Sequence, residues 1–330
     1  MPRLFENIDK FKKKTALIGL NSEEVTYGQI LNINKKINYK IFSRSIILMI
    51  GTNTINSVIG YISFIKNNHI VILLDNNLSK IYIKNIIKKY NPNYIYAPKN
   101  FFKKYYYKKI LDFSDYEILK TNYKKNVKVN YLNKVLLTTS GTTQNPKMVR
   151  LSNSNLYSNT KSIIEYLNIK SNHTTITTMP MAYSYGLSII NSHIHAGSRI
   201  ILSDKTLFDK IFWELISKFQ VTSFGGVPSF YKILKRLKIE NMNLESIKYV
   251  TQAGGKLDID TAKNLSKIFK FKKIQFFIMY GQTEASPRMS YLNPNMIDRH
   301  PNSIGKPLKK SSFEIIDEKG KKIKESFKEG

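Results

Sequence analysis

Apolar runs alternate with mixed stretches along the first third of the chain, and the alternation predicts strands and helices in turn. Ser45 to Ile50 is an apolar run short enough for a buried strand, and Gly51-Thr52-Asn53 ends it. Thr54 to Lys66 follows as a helix and His69 to Leu74 as a second buried strand. Leu78 to Tyr90 reads as a helix with Ile81, Ile86 and Ile87 facing inward, and Tyr94 to Ala97 as a strand closed by Pro98. Upstream, Val25-Thr26-Tyr27 leads from a strand or turn into a helix reaching Lys36. This β-α-β-α-β order predicts a mostly parallel sheet covered by helices.

The pattern degrades between Phe101 and Lys134 into Lys- and Tyr-rich sequence, which reads as a solvated face whose tyrosines cover a sheet edge. Periodicity then returns. Val135 to Leu137 reads as a strand end, Leu151 to Asn168 as a helix capped by Ser152 or Ser154, and Thr174 to Met179 as a β-rich run. Further strands are expected at Ser198 to Leu202, Val221 to Val227, Ile247 to Thr251 and Ile274 to Met279. Helices are expected at Leu207 to Phe219, Ser229 to Leu237 and Asp258 to Phe269. His193 and His195 stand two apart in a helical stretch, so they point to different faces and are not expected to share a metal.

Composition narrows the classes. With 42% hydrophobic and 12% aromatic residues in 330, the chain can bury a large core. A net charge of +30 raises a nucleic-acid hypothesis, but 46 of the 53 cations are Lys and only seven are Arg, the residue that base and phosphate readers favour. A Lys-rich nucleic-acid-binding protein stays as an alternative, and specific binding to nucleic acid is not expected. The absence of Cys excludes a thiol nucleophile, a Cys-ligated metal and any disulfide. No run approaches the length of a transmembrane segment, and a cytoplasmic location is expected.

Chemistry concentrates in two stretches. Thr138 to Lys147 holds five hydroxyl residues, Gly141 and a Pro-Lys pair, a density of donors that suits a polyphosphate. Its spacing is not that of a Walker A loop. Tyr280-Gly281-Gln282-Thr283-Glu284 ends a buried strand. It offers an aromatic that can stack on a purine, a hydroxyl for a phosphate and a carboxylate for Mg2+. Gly254-Gly255 forms a strand-to-helix turn, and Gly225-Gly226 lies at another strand end, where close approach of ligand or of backbone is expected.

Thr139 to Lys147 (T-S-G-T-T-Q-N-P-K) and Tyr280 to Glu284 (Y-G-Q-T-E) resemble the two signature motifs of the adenylate-forming superfamily of acyl-CoA synthetases, luciferases and peptide-synthetase adenylation domains. Gln144 and Met148 stand where that family commonly has glycine. Met179 to Leu187 resembles a further family segment, with Tyr183 in place of the usual histidine that gates the carboxylate being activated. Thr26-Tyr27, the Gly254-Gly255 turn, Arg288 and Ser303 to Leu308 continue the resemblance.

The resemblance implies the large N-terminal α/β domain of that superfamily, residues 1–300, as two packed subdomains divided near 172, with 301–330 opening a small β subdomain whose first strand is Phe313 to Ile316. It implies ATP-dependent activation of a small carboxylic acid to an acyl-adenylate with release of pyrophosphate. Transfer to the thiol of coenzyme A or of a carrier-protein phosphopantetheine would follow. Thr139, Ser140, Gly141, Thr142, Thr143 and Lys147 would hold phosphates, and Thr283 the α-phosphate. Glu284 would bind Mg2+, Tyr280, Gly281, Gly254 and Gly255 the adenine side, and Tyr183, Gly225 and Gly226 the acid. The family's downstream T-G-D aspartate and the lysine of its small C-terminal domain are not found before Gly330. The expectation is therefore an impaired fragment, or a subunit completed by a separately encoded domain, with a non-catalytic nucleotide-binding remnant as the alternative.

Overall fold

Ile46–Gly51 and Ile70–Asp75 are buried at every position, as strands of a parallel sheet must be when elements cover both faces. The computed structural model describes residues 2–103, 107–123, 132–138 and 148–323. In chain order, β1 (Thr15–Ile18), β2 (Glu24–Thr26) and α1 (Tyr27–Lys40) come first. The two apolar runs follow as β3 (Ile46–Gly51) and β4 (Ile70–Asp75), with α2 (Ile55–Lys66) between them and α3 (Lys80–Tyr90) and β5 (Tyr94–Pro98) after. Two hairpins come next: β6 (Lys108–Asp112) with β7 (Tyr116–Lys120), and β8 (Asn133–Thr138) with β9 (Met148–Ser152).

The second half alternates. It contains α4 (Asn153–Tyr166), β10 (Thr174–Thr177), α5 (Ser184–Ala196), β11 (Arg199–Leu202), α6 (Lys210–Lys218), β12 (Ser223–Gly226) and α7 (Pro228–Arg236). After these come β13 (Tyr249–Gln252), α8 (Ile259–Phe271), β14 (Gln275–Tyr280), β15 (Ser290–Leu292) and β16 (Lys306–Pro307).

Among the described residues the strands form two sheets, ordered β6-β7-β5-β3-β4-β8-β9 and β16-β15-β14-β13-β12-β10-β11-β1-β2. The central pairings of both are parallel and the edges antiparallel. Strand alternation divides the core into layers. Ile47, Met49, Val71 and Leu73 of the first sheet and Leu17, Ile200 and Leu202 of the second pack into one cluster with the apolar faces of α1, α2 and α5. The opposite face of the first sheet carries Leu48, Ile50 and Ile72 against α3, and that of the second carries Ile18, Ile176 and Ile201 against α6, α7 and α8. The helix α2, buried along most of its length, is thus sandwiched between sheets.

Local sequence sets the element ends. Reciprocal capping boxes open α1 (Thr26 with Gln29) and α4 (Ser152 with Asn155). The C-cap Gly197, at φ 76°, ends α5 where a side chain would strike the ring of Phe11.

Three expectations are corrected. Ile81 is 74% exposed, because α3 starts at Lys80 and its buried stripe runs through Ile83, Ile86 and Ile87. The Lys/Tyr-rich region contains the β6-β7 hairpin, which extends the first sheet through β7-β5 pairing. Phe313 to Ile316 forms no strand among the described residues; a single bridge joins Ile316 to Lys322 around the Asp317–Gly320 turn.

Candidate active site

The strands β12, β13 and β14 are neighbours, parallel and in register, so their carboxyl ends open at one edge of the second sheet. That edge is where ligands bind in open α/β folds. A cleft of about 670 Å³ lies there, lined by Gly254, Gly255, Tyr280, Gly281, Thr283 and Glu284. All six were singled out from sequence. The structure adds Ser184, Lys256 and the Pro301–Ile304 segment to the walls.

Each motif residue is held by a local contact. Gly254 adopts φ +81°, a conformation that disfavours side chains, and the Gln252 amide donates to the Gly255 carbonyl at 2.9 Å to close the turn. A Cβ at Gly281 would stand 1.7 Å from the Pro287 carbonyl oxygen, so this glycine is required by the returning chain. The Gln282 amide donates to the Tyr280 hydroxyl at 2.9 Å, and the Thr283 hydroxyl donates to Ser184 Oγ at 3.1 Å. Glu284 is exposed and makes no ion pair among the described residues. One carboxylate oxygen set of this kind fits Mg2+, which completes its shell with phosphate and water oxygens. No cluster of three or more His, Cys, Asp or Glu that could cage a metal occurs among the described residues.

Thr139, Ser140, Gly141, Thr142, Thr143 and Lys147 lie outside the described residues. The strands that flank them are described: Thr138 pairs with Met148 across the β8-β9 hairpin, and β9 packs against the 3-10 turn Thr283–Ala285. Leu137 and Leu151 of that hairpin share a small cavity with Ser184, Ser286 and Pro287. The flanks of one motif therefore abut the other.

The expected acid-binding residues Tyr183, Gly225 and Gly226 are not among the residues that line the cleft. Tyr183 precedes α5 and is 54% exposed, outside the cleft lining, whereas its neighbour Ser184 lines it. Gly225 and Gly226 are buried at the carboxyl end of β12, and protein atoms approach both closely. A Cβ on Gly225 would meet Tyr185 Oη at 2.5 Å and Thr251 Oγ1 at 2.6 Å, and one on Gly226 would meet the Phe230 ring at 2.4 Å. The Tyr185 hydroxyl fills the notch and donates to the Thr251 carbonyl at 2.8 Å; burial pushes its pKa up to about 12.

His193 and His195 do part company. His193 Nδ1 donates to the Ile189 carbonyl at 2.9 Å, which leaves Nε2 to accept from the Tyr249 hydroxyl at 3.0 Å, while His195 Nδ1 accepts from the Phe5 amide at 3.4 Å. Burial lowers His193 to about 3 and His195 to about 4, so the buried His193 and the half-buried His195 are both neutral near pH 7.

The sequence profile of the AMP-binding enzyme family matches residues 4–330. The chain belongs to the AMP-binding enzymes. As such it is 28% identical over 185 residues to an acyl-CoA ligase of Aspergillus fumigatus, a match covering 55% of this chain and 31% of that ligase. It is 25% identical over 346 residues to the D-alanine–D-alanyl carrier protein ligase of Streptococcus pyogenes, covering 97% of this chain and 66% of the relative. The chain thus spans less than the full length of these AMP-binding relatives, about a third in the first case. In three dimensions it resembles o-succinylbenzoate coenzyme A synthetase of Bacillus subtilis in complex with its acyl-adenylate intermediate, with a TM-score of 0.81 at 19% identity over 98% of this chain and 67% of the other. The fold of this AMP-binding enzyme is therefore the large N-terminal α/β domain of adenylate-forming enzymes. No helix among the described residues is long and apolar enough to cross a membrane.

Proposed function

We propose that the protein binds ATP in the cleft at the ends of β13 and β14 and activates a carboxylic acid as its acyl-adenylate, releasing pyrophosphate. The observation that carries this reading is the convergence of Gly254, Gly255 and Tyr280 to Glu284 on one cleft beside the hairpin that carries the hydroxyl-rich loop. In this reading Tyr280, Gly281 and the Gly254-Gly255 turn hold adenine. The Thr283 hydroxyl, within hydrogen-bond reach of Ser184, orients the α-phosphate for attack by the acid. Ser140, Thr142, Thr143 and Lys147 hold the β- and γ-phosphates, and Thr139 and Gly141 belong to the same nucleotide-binding set. An ammonium about 4 Å from a phosphate charge gives a gross attraction of about 4 kcal/mol at an effective dielectric near 20, before desolvation.

Glu284 would hold Mg2+, which supplies positive charge to the phosphates as pyrophosphate leaves. Tyr183, exposed beside Ser184, would meet the acid at the mouth of the cleft. The adenylated acid would pass to the thiol of coenzyme A or of a carrier-protein phosphopantetheine, in the cytoplasm where ATP and both thiols occur. Residues 1–300 would act as the adenylation domain, divided near 172, with 301–330 belonging to a small β subdomain.

Exchange of labelled pyrophosphate into ATP, measured across a panel of carboxylic acids, tests the proposal. Acid-dependent exchange is expected. No exchange with any acid, together with no binding of AMP or ATP at millimolar concentration, would remove both the activity and the site.

A further inference from the structure

Acids in the half of the chain that builds the first sheet are sorted to one edge. Between Glu24 and Glu165 the chain holds four, Asp75, Asp112, Asp115 and Glu117. Asp75 ends β4, Glu117 pairs with Ala97 at the end of β5 and with Asp112 across the hairpin, and the Lys99 amide donates to the Asp115 carbonyl at 2.9 Å. All four therefore stand at the carboxyl edge of the parallel strands. The amino edge, where β3, β4, β5 and β8 begin, receives none of them.

That amino edge receives lysines instead. The helix α1 leads into β3 and α3 into β5, so both end there. Lys36 and Lys40 of α1, Lys88 and Lys89 of α3, and Lys120, which pairs with Tyr94 at the start of β5, are exposed, and none joins an ion pair among the described residues. Asn93 ties the two helix ends together, its side chain accepting from the Ile46 amide at 2.9 Å and its amide donating to the Ile46 carbonyl at 2.8 Å. Behind them Lys134 is buried, donates to Asn68 Oδ1 and joins no ion pair; burial, with Arg44 and Arg3 nearby, lowers its pKa to about 8. Lys66, at the end of α2, lies near Asp9 and Glu6 and stays outside this patch.

Two aromatic side chains stand out from the same edge. Tyr39 is 80% and Phe42 87% exposed, on either side of buried Ile41 where α1 turns toward β3. Lys40 Nζ lies 5.7 Å from the centre of the Tyr39 ring. Exposed rings among unpaired lysines suit the boundary of a bilayer, where the rings enter the headgroup layer and the ammonium groups meet lipid anions. The cations are compact point charges matched to a diffuse anionic surface, not the guanidinium forks that read phosphates and bases on nucleic acid.

We propose that the amino edge of the first sheet is a docking surface for membranes rich in anionic lipids, with Tyr39 and Phe42 seated in the headgroup layer. Attachment is peripheral, since no helix among the described residues is long and apolar enough to cross a membrane. None of these residues lines the cleft, so docking and adenylation are separable.

The test is cosedimentation of the full chain with vesicles of phosphatidylcholine alone or with roughly one third phosphatidylserine, at about 0.15 M salt. The wild type is expected to bind the anionic vesicles at least about 25-fold more tightly. Lys36→Gln with Lys40→Gln should weaken that binding about 25-fold, at about fivefold per lysine. Tyr39→Ser with Phe42→Ser should weaken it about tenfold or more. All four side chains are exposed, so their replacement leaves the core intact. Lys263→Gln with Lys267→Gln, the same charge change at exposed positions of α8, should leave binding within about twofold of the wild type. A wild-type preference for anionic vesicles below about threefold, an equal loss in the α8 variant, or no loss on replacing the two aromatics overturns the proposal. Tighter binding to single-stranded DNA at the same salt, lost in the Lys36 and Lys40 variant, would assign the edge to nucleic acid and overturn it as well.

Discussion

The Thr283 hydroxyl and Ser184 Oγ lie 3.1 Å apart, joining the turn after β14 to the first residue of α5. Two distant segments are thereby locked at the spot where a nucleotide's α-phosphate is expected. Thr283→Ala should weaken AMP binding by roughly tenfold or more, the scale of one hydrogen bond to a charged group. Ser184→Ala should cost less, because it frees the Thr283 hydroxyl and leaves it present. The double variant should bind AMP no worse than Thr283→Ala alone, measured by titration calorimetry. Fully additive losses would show that the two hydroxyls act independently.

Glu284 is exposed at the cleft wall and makes no ion pair among the described residues. If it holds Mg2+, its effect must depend on the metal. The wild type should bind ATP about tenfold more tightly with Mg2+ than in excess chelator, and Glu284→Gln should erase that difference while leaving AMP affinity without metal near the wild-type value. An undiminished Mg2+ effect in the variant would assign the metal to other groups.

Gly225 is a packing glycine, and its replacement should report on stability before chemistry. The added methyl of Gly225→Ala would meet Tyr185 Oη at 2.5 Å and Thr251 Oγ1 at 2.6 Å, both buried. Overpacking of this kind costs about 1–3 kcal/mol. Tyr185→Phe removes one of the two clashing atoms, and the Thr251 carbonyl keeps a donor in the Tyr231 hydroxyl at 2.7 Å. The double variant should therefore be less destabilised than the sum of the single ones in denaturant melts. Strict additivity would mean that Tyr185 moves aside at no cost.

The sequence pattern revealed elements wherever one chemical rule dominated. The apolar runs that became β3 and β4 could satisfy their composition only inside a parallel sheet, and the Thr26 and Ser152 boxes marked helix starts without reference to the rest of the chain. Tyr280 to Glu284 was legible because several chemically distinct side chains recur at fixed spacing at a strand end. The β6-β7 hairpin was hidden because its lysines are exposed and only its pairing with β5 makes it a strand pair. Ser184 carried no local signal, since its place in the cleft comes from α5 meeting the turn after β14. Gly225 and Gly226 gave the right inference of close approach, but the approaching groups, Tyr185 and Phe230, come from other elements and cannot be told from a ligand in one sequence. Arg288 was marked by the resemblance, but its burial among neutral partners could not be read locally, because Ser188 and Tyr166 come from other elements.

Histidine burial sets a pH window for stability. Burial lowers His193 to about 3, and burial, with smaller contributions from nearby cations, lowers His69 to about 4. Both pKa values are below the ordinary 6.5, so the unfolded chain takes up protons that the folded chain refuses. Their stabilising contribution is complete above pH 6.5 and declines as pH falls through the interval down to the folded values. Within it each such histidine costs about 1.4 kcal/mol per pH unit. The lowered carboxylates, such as Asp258 with its ordinary value of 3.8, begin to matter only near the bottom of that range. Thermal melts should therefore show a Tm that falls between pH 6.5 and 4, with the slope reduced in His193→Gln, which keeps a donor and an acceptor for Ile189 and Tyr249 but does not titrate. An unchanged slope in that variant would place the proton uptake elsewhere.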